Sequence, residues 1–173
     1  MNEVLKNLTE RRSIRAFKPE MPSKELLEQI IEAGLYAPNG MGRQSAMVIA
    51  VTDRKTRDEL SELNRVIAGR DADPFYGGPA VLIVLADKSV PTYMYDGALM
   101  MGNMLNAAHA LGLGSIWIHR AKQEFEQEYG KKLLEKLGIE GEWEGIGHCV
   151  VGYIDGEAPA PAPRREGRIF WAE

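Results

Sequence analysis

Two spacings of apolar residues alternate along this chain, and the switches between them mark out its elements. Val4, Leu5 and Leu8 share one stripe, which predicts a short helix over residues 2–11. After Met21-Pro22, Ser23 suits an N-cap, and Glu25 puts a negative charge in the first turn, where the helix dipole favours it. Leu26, Leu27, Ile30, Ile31 and Leu35 continue that helix, which should end near Gly34 to Tyr36, ahead of Pro38. Met47 to Thr52 reads as a short buried strand, and Asp53 as the cap of a helix with Leu60, Leu63 and Ile67 inward. Gly69, Pro74, Gly77, Gly78 and Pro79 mark a loop over residues 69–79. Ala80 to Ala86 is continuously apolar, which implies a strand buried on both faces.

Thr92 to Leu111 is the longest apolar helix, and its leucines and methionines are spread around more than one face. Such a helix must be covered on all sides, and in a chain this small the extra cover predicts a second subunit. Ser115 to His119 and Ile146 to Ile154 read as further strands. Residues 122–137 between them predict one charged helix, with Phe125, Leu133, Leu134 and Leu137 inward and its glutamates and lysines solvated. From Gly156 the pattern changes again. Pro159, Pro161 and Pro163 alternate with alanines and predict an extended arm, whose final Ile169-Phe170-Trp171 needs a surface to cover.

Composition narrows this picture. With 173 residues, 45% of them hydrophobic, the chain suits one domain over residues 1–155 followed by the arm over 156–173. Cys149 is the single cysteine, so no internal disulfide forms; amid Val150 and Val151 it reads as a small buried hydrophobe. Neither a leader nor a window long enough to cross a bilayer is visible, and a cytoplasmic protein without a membrane partner is expected. A formal net charge of -4 argues against a nucleic-acid partner.

Against that acidic background, Glu10-Arg11-Arg12-Ser13-Ile14-Arg15-Ala16-Phe17 stands out. Guanidinium forks match phosphate oxygens two at a time, Ser13 adds a donor, and in an extended segment Ile14 anchors the backbone opposite. Arg11 and Arg12 equally suit the carboxyl end of the first helix, where cations are favoured. Ala37-Pro38-Asn39-Gly40-Met41-Gly42-Arg43-Gln44 is a permissive loop in which the main chain can approach a flat ligand; it follows a helix and lacks the dinucleotide-binding pattern of glycines. Catalytic triads, paired carboxylates and metal-ligand spacings are missing, and no metal site is expected. That inventory suits a protein whose cofactor carries the chemistry.

Arg11 to Phe17 after a short amphipathic helix resembles the opening of the nitroreductase family of FMN-dependent oxidoreductases, and residues 36–44, 98–120 and 145–165 follow in the family's order. The resemblance implies an α+β fold, a three-layer α/β/α sandwich with a mixed, mainly antiparallel sheet flanked by helices. It also implies a homodimer with C-terminal arms exchanged between subunits and the flavin at the interface. Arg11, Arg12, Ser13 and Arg15 become cofactor contacts, with Arg15 the cation near N1 and O2 of the reduced flavin. Pro38, Asn39, Gly40 and Gln44 belong to the loop against the flavin, which continues Ser45-Ala46 where relatives often have Pro-Trp. Asn64 lies where relatives aim an amide at the ring, although a solvent-facing helical asparagine is the alternative reading. Trp117, Ile118 and His119 match the strand end that offers a backbone N–H to flavin N5, and His119 joins Arg15 as a catalytic candidate. Arg164 and Arg165 match residues that reach the FMN phosphate, and the short loop over 69–79 implies an open pocket.

The activity so implied has two half-reactions: NADH or NADPH passes hydride to FMN, then a small oxidised acceptor such as a nitroaromatic or quinone is reduced. A specialised reductase or dehalogenase of the same superfamily, and a nucleotide-binding module without turnover, are the other readings.

Overall fold

The apolar run beginning at Ala80 forms the strand on which everything else is hung. In the computed structural model, which describes residues 1–173, the order is α1 (Glu3–Glu10), α2 (Lys24–Leu35), β1 (Ala46–Val51), α3 (Arg54–Ala68), β2 (Ala80–Asp87), α4 (Tyr93–Ala110), β3 (Gly114–Ile118), α5 (Ala121–Glu126), α6 (Glu128–Lys136) and β4 (Trp143–Gly152). The sheet runs β1-β2-β4-β3. On β2, Val81, Ile83 and Leu85 face one core with Leu60, Phe75, Ile116 and Phe125. Leu82 and Val84 face the other, with Ile30, Met101, Met104 and Cys149. All five β2 side chains are fully buried, and each stabilises the fold by roughly 1.5–3 kcal/mol. Helices α2 and α4 pack on one face and α3 and α5 on the other, so the three-layer arrangement follows from a strand that is apolar on both sides.

Ser23 and Asp53 cap α2 and α3, accepting from the N–H groups of Leu26 and Thr56. Several expectations are corrected. Every strand pair is antiparallel, and the one parallel contact is an isolated bridge between Ser13 and Ser115. β1 lies at the edge of the sheet and is only partly buried, with Ala50 exposed. The single helix expected over 122–137 is two, because Gln127 is extended. At the junction α6 folds back so closely that a Cβ on Gly130 would lie 2.5 Å from the Glu124 carbonyl oxygen. Leu137 is half exposed, while Glu124, expected on the solvated face, is completely buried.

β4 carries the one irregularity of the sheet. Val84 pairs with Gly147 but Leu85 pairs with Gly145, so Ile146 is an extra residue, a bulge. The bulge presses Ile146 against Gly97 of α4 and brings Gly145 under the start of α5, where a Cβ would sit 2.3 Å from the Ala121 carbonyl carbon. Gly145→Ala should therefore cost about 2–3 kcal/mol, since backbone cannot yield as a side-chain tip can. A urea titration giving an unchanged midpoint would contradict this packing.

Candidate functional site

β3 is the sheet's other edge, and the arginine segment runs along it. Ile14 N–H donates to the Ser115 carbonyl at 3.0 Å, and the Ile14 side chain is buried against Gly114, which has no room for a Cβ. Phe17 forms a second bridge, to Ile154. The extended reading of this segment and the anchoring role of Ile14 both hold. Pinned at two points, it delivers Arg15 to a cleft of about 250 Å³ at the end of β3. Trp117, Ile118 and His119 line that cleft from the strand, Asn64 from α3, and Arg70, Pro74 and Tyr76 from the loop that follows α3. Arg120 closes it from the start of α5, in a left-handed conformation with φ 84°, unusual for a residue with a Cβ.

The cleft is strongly cationic. Arg15, Arg70 and Arg120 all line it, no carboxylate does, and none of the three takes part in an ion pair. Three donor atoms of the arginine segment and β3 are buried without a partner: Nη1 of Arg11, Nε of Arg12 and Nε1 of Trp117, of which only Trp117 lines the cleft. An unmatched buried N–H costs about 1–3 kcal/mol, so these groups are placed for an acceptor from outside the chain. Arg12 also serves the duller role foreseen for it, donating from Nη1 to the carbonyls of Thr9 and Arg11 at the end of α1. Cys149 behind them is inert: burial pushes its thiol up to about 12, and the nearby Arg11 charge offsets only part of that.

Beneath the cleft lies a buried polar chain. Asn64, only 1% exposed, is not the solvent-facing residue that was the alternative, because its side chain closes this chain from α3. Its amide nitrogen donates to the His119 carbonyl at 2.8 Å and to Glu124 at 2.6 Å. Glu124 in turn contacts Nε2 of His148 at 2.7 Å, and Nδ1 of His148 lies 3.2 Å from the Ile118 carbonyl. His119 itself is exposed, its ring 5.9 Å from that of Trp117.

The remaining candidates lie elsewhere on the chain. Asn39 and Gln44 line a second cleft of about 70 Å³ between α2, α4 and the start of β1, which shares no residue with the first. Asp96 of α4 organises it, accepting from Gly40 N–H at 2.9 Å, Ser45 Oγ at 2.6 Å and Thr92 Oγ1 at 3.0 Å. Burial alone would raise the Asp96 carboxyl, but these three donors outweigh it and hold it below the usual carboxylate range. Ser45 is thus a buried tie for the loop. Gly40 is obligatory, since a Cβ there would lie 2.2 Å from Thr92 Oγ1. Pro38 is exposed, and Met41 and Gln44 hold left-handed conformations. Arg164 and Arg165 are exposed on the arm, where Arg164 donates only to the carbonyl of Ala162, so one chain does not bring them to either cleft.

Sequence reasoning missed Arg70, Tyr76, Asp96 and the Glu124–His148 pair. Arg70 follows the left-handed C-cap glycine of α3, Gly69, which was the available signal. The others depend on contacts distant in sequence.

With this geometry in place, the comparisons agree. The nitroreductase family model matches residues 8–153, and the chain belongs to that family. An FMN reductase [NAD(P)H] of Bacillus subtilis is 33% identical over 139 residues, covering 67% of this chain and 53% of that protein, so the match spans about half of its length. The crystal structure of a nitroreductase with bound FMN from Bacteroides fragilis superposes with a TM-score of 0.91 at 26% identity, covering 100% of both chains. A nitroreductase with bound FMN from Desulfitobacterium hafniense gives 0.88 at 28% identity, again over 100% of both.

Asp96→Ala leaves the Gly40 N–H and the Ser45 hydroxyl without their acceptor and should cost about 2–3 kcal/mol in denaturant unfolding. The pH dependence has a definite sign. Because the folded carboxyl titrates below its unfolded value of about 3.9, its contribution is complete above that pH and vanishes as pH falls through the folded value. The wild type should lose stability across that acid window more steeply than Asp96→Asn; parallel curves would rule the carboxylate out as the loop's tie.

Proposed function

We propose that this chain is an FMN-dependent oxidoreductase, working as a homodimer, that moves reducing equivalents from NADH or NADPH to a small oxidised acceptor such as a nitroaromatic or quinone. The observation that carries the reading is the cationic cleft at the end of β3, taken together with the unmatched buried N–H groups of Arg11, Arg12 and Trp117. A flavin mononucleotide offers what those groups lack: an anionic phosphate for guanidinium forks, and a flat ring with acceptor atoms along one edge. The FMN in the two solved relatives supports the choice of cofactor, and the name of the Bacillus relative supports the nicotinamide donor.

Arg11, Arg12 and Ser13 would hold the phosphate end, and Arg15 and Arg70 would face the ring as fixed positive charges. When bound, FMN supplies a two-electron carrier that takes hydride at N5 and returns it to the acceptor. The Arg15 guanidinium is a cation and so would favour the reduced, anionic state by electrostatics alone. His119 N–H supplies a main-chain donor at the strand end, and the exposed His119 ring is available to an incoming substrate.

Two features support the dimer. Each cleft is smaller than the roughly 300–1,000 Å³ of an ordinary cofactor pocket, so neither encloses FMN unaided. Large apolar side chains also stay uncovered on adjoining elements: Val4 and Leu8 on α1, Tyr36 after α2, Met94 and Tyr95 on α4, and Ile169, Phe170 and Trp171 on the arm. Packing α4 against its copy would set one chain's 37–45 loop beside the other's β3 cleft. The arm over residues 156–173 would reach across, carrying Arg164 and Arg165 to the phosphate.

The purified protein should be yellow and bleach with NADH or NADPH in the absence of oxygen; a colourless protein that takes up no FMN would refute the proposal. Initial rates should follow alternating-substrate kinetics, and intersecting patterns would exclude that order. Arg11→Ala should weaken FMN binding about tenfold, the scale of one charged hydrogen bond. Arg15→Ala should instead retain FMN and slow its reduction about tenfold. Stopped-flow reduction and fluorescence titration separate the two.

A further inference from the structure

The buried Glu124–His148 pair is more than filler for the core, because it grips the peptide on which the proposed chemistry turns. Both side chains are completely buried, an expensive choice between two elements that apolar residues would hold together equally well. Their contacts fix where one proton must be. A carbonyl oxygen has no hydrogen to give, so the 3.2 Å contact between His148 Nδ1 and the Ile118 carbonyl is a hydrogen bond only if Nδ1 carries the proton. Glu124 at 2.7 Å from Nε2 secures this in either of two ways. As a carboxylate it accepts from a doubly protonated ring; as an acid it donates to Nε2 of a neutral one. Both leave Nδ1–H on Ile118.

Strand geometry then sets the direction of the peptide. Successive residues of a strand present their backbone groups alternately to the two sides. Ser115 turns its carbonyl to Ile14 and the arginine segment, so Trp117 and His119 face that side and Ile118 faces β4. The Ile118 carbonyl and the His119 N–H belong to one trans peptide and point oppositely. Drawing the carbonyl toward His148 aims the His119 N–H at the cleft side, where it donates to no group of the chain. Asn64 fixes the next carbonyl, that of His119, so two successive peptides are tied to the same glutamate.

We propose that Glu124 and His148 are positioning residues: through Nδ1–H they orient and polarise the Ile118–His119 peptide, so that its N–H is a directed donor for the flavin. The inference rests on the FMN reading given above. Hydrogen bonds in a chain strengthen one another by roughly 10–30% each, so the Nδ1–H bond at the carbonyl, itself backed by Glu124, makes the N–H a better donor. Glu124→Gln preserves every contact, because its amide donates to Nε2 while its oxygen accepts from Asn64. His148→Phe keeps the bulk and removes the donor.

The test uses the FMN-loaded protein. In ¹⁵N-histidine NMR of the wild type, His148 Nδ1 should be protonated; an unprotonated Nδ1 overturns the proposal without any variant having to fold. His148→Phe should shift the His119 amide resonance and slow flavin reduction about tenfold at unchanged KM, the scale expected when a reacting geometry is lost. Glu124→Gln should stay within about threefold of wild type, because it keeps Nδ1–H on the Ile118 carbonyl. The proposal fails if His148→Phe leaves both the resonance and the rate unmoved, or if Glu124→Gln loses as much as His148→Phe. A wild type that takes up no FMN sinks the functional reading instead, and the Nδ1 measurement still reports on the pair.

Discussion

The two-sided burial of β2 is the constraint from which the rest follows. A strand with Val, Leu and Ile on both faces forces helices onto both sides of the sheet, and the middle of the domain then has no room for an unpaired charge. Ligand chemistry is displaced to the rim. There the free edge of β3 takes the arginine segment as a partial extra strand, and the end of the same strand supplies main-chain donors. Three of the buried polar residues, Asn64, Glu124 and His148, are matched by partners and lie directly behind that edge.

Much of this was legible from the chain. The caps at Ser23 and Asp53, the doubly buried strand, the long α4 and the extended arginine segment are local patterns, set by neighbours within a turn or a few residues. What escaped depended on residues far apart. Glu124 looks like one of many solvated glutamates until Gln127 breaks the helix and His148, 24 positions on, comes to meet it. Asp96 is an ordinary first-turn acid until it reaches back 56 positions to Gly40. Asn64 falls four residues after Leu60, on the stripe that Leu60, Leu63 and Ile67 mark, so the spacing pointed it inward; what the spacing could not supply was the partners, Glu124 and the His119 carbonyl, that let a polar side chain be buried there. Arg12 carried two readings, and its contacts at the end of α1 realise the simpler one while leaving its Nε unspent.

The family relation gives these features a common sense. The recognised segments lie at the β3 edge, on the 37–45 loop and on the arm, three places that one chain keeps separate. In the proposed dimer the apolar faces left open on α1 and α4 would be the covering surfaces that unite them.

The position of Cys149 has a practical corollary. A thiol at the centre of a sheet, held protonated by its surroundings, is invisible to alkylating reagents and oxidants while the molecule is closed. Its modification therefore clocks excursions in which β4 parts from its neighbours, and where those openings are rapid the rate reads their population. Nature has left a single reporter atom at the midpoint of the structure, one that counts unfolding events without any label being added.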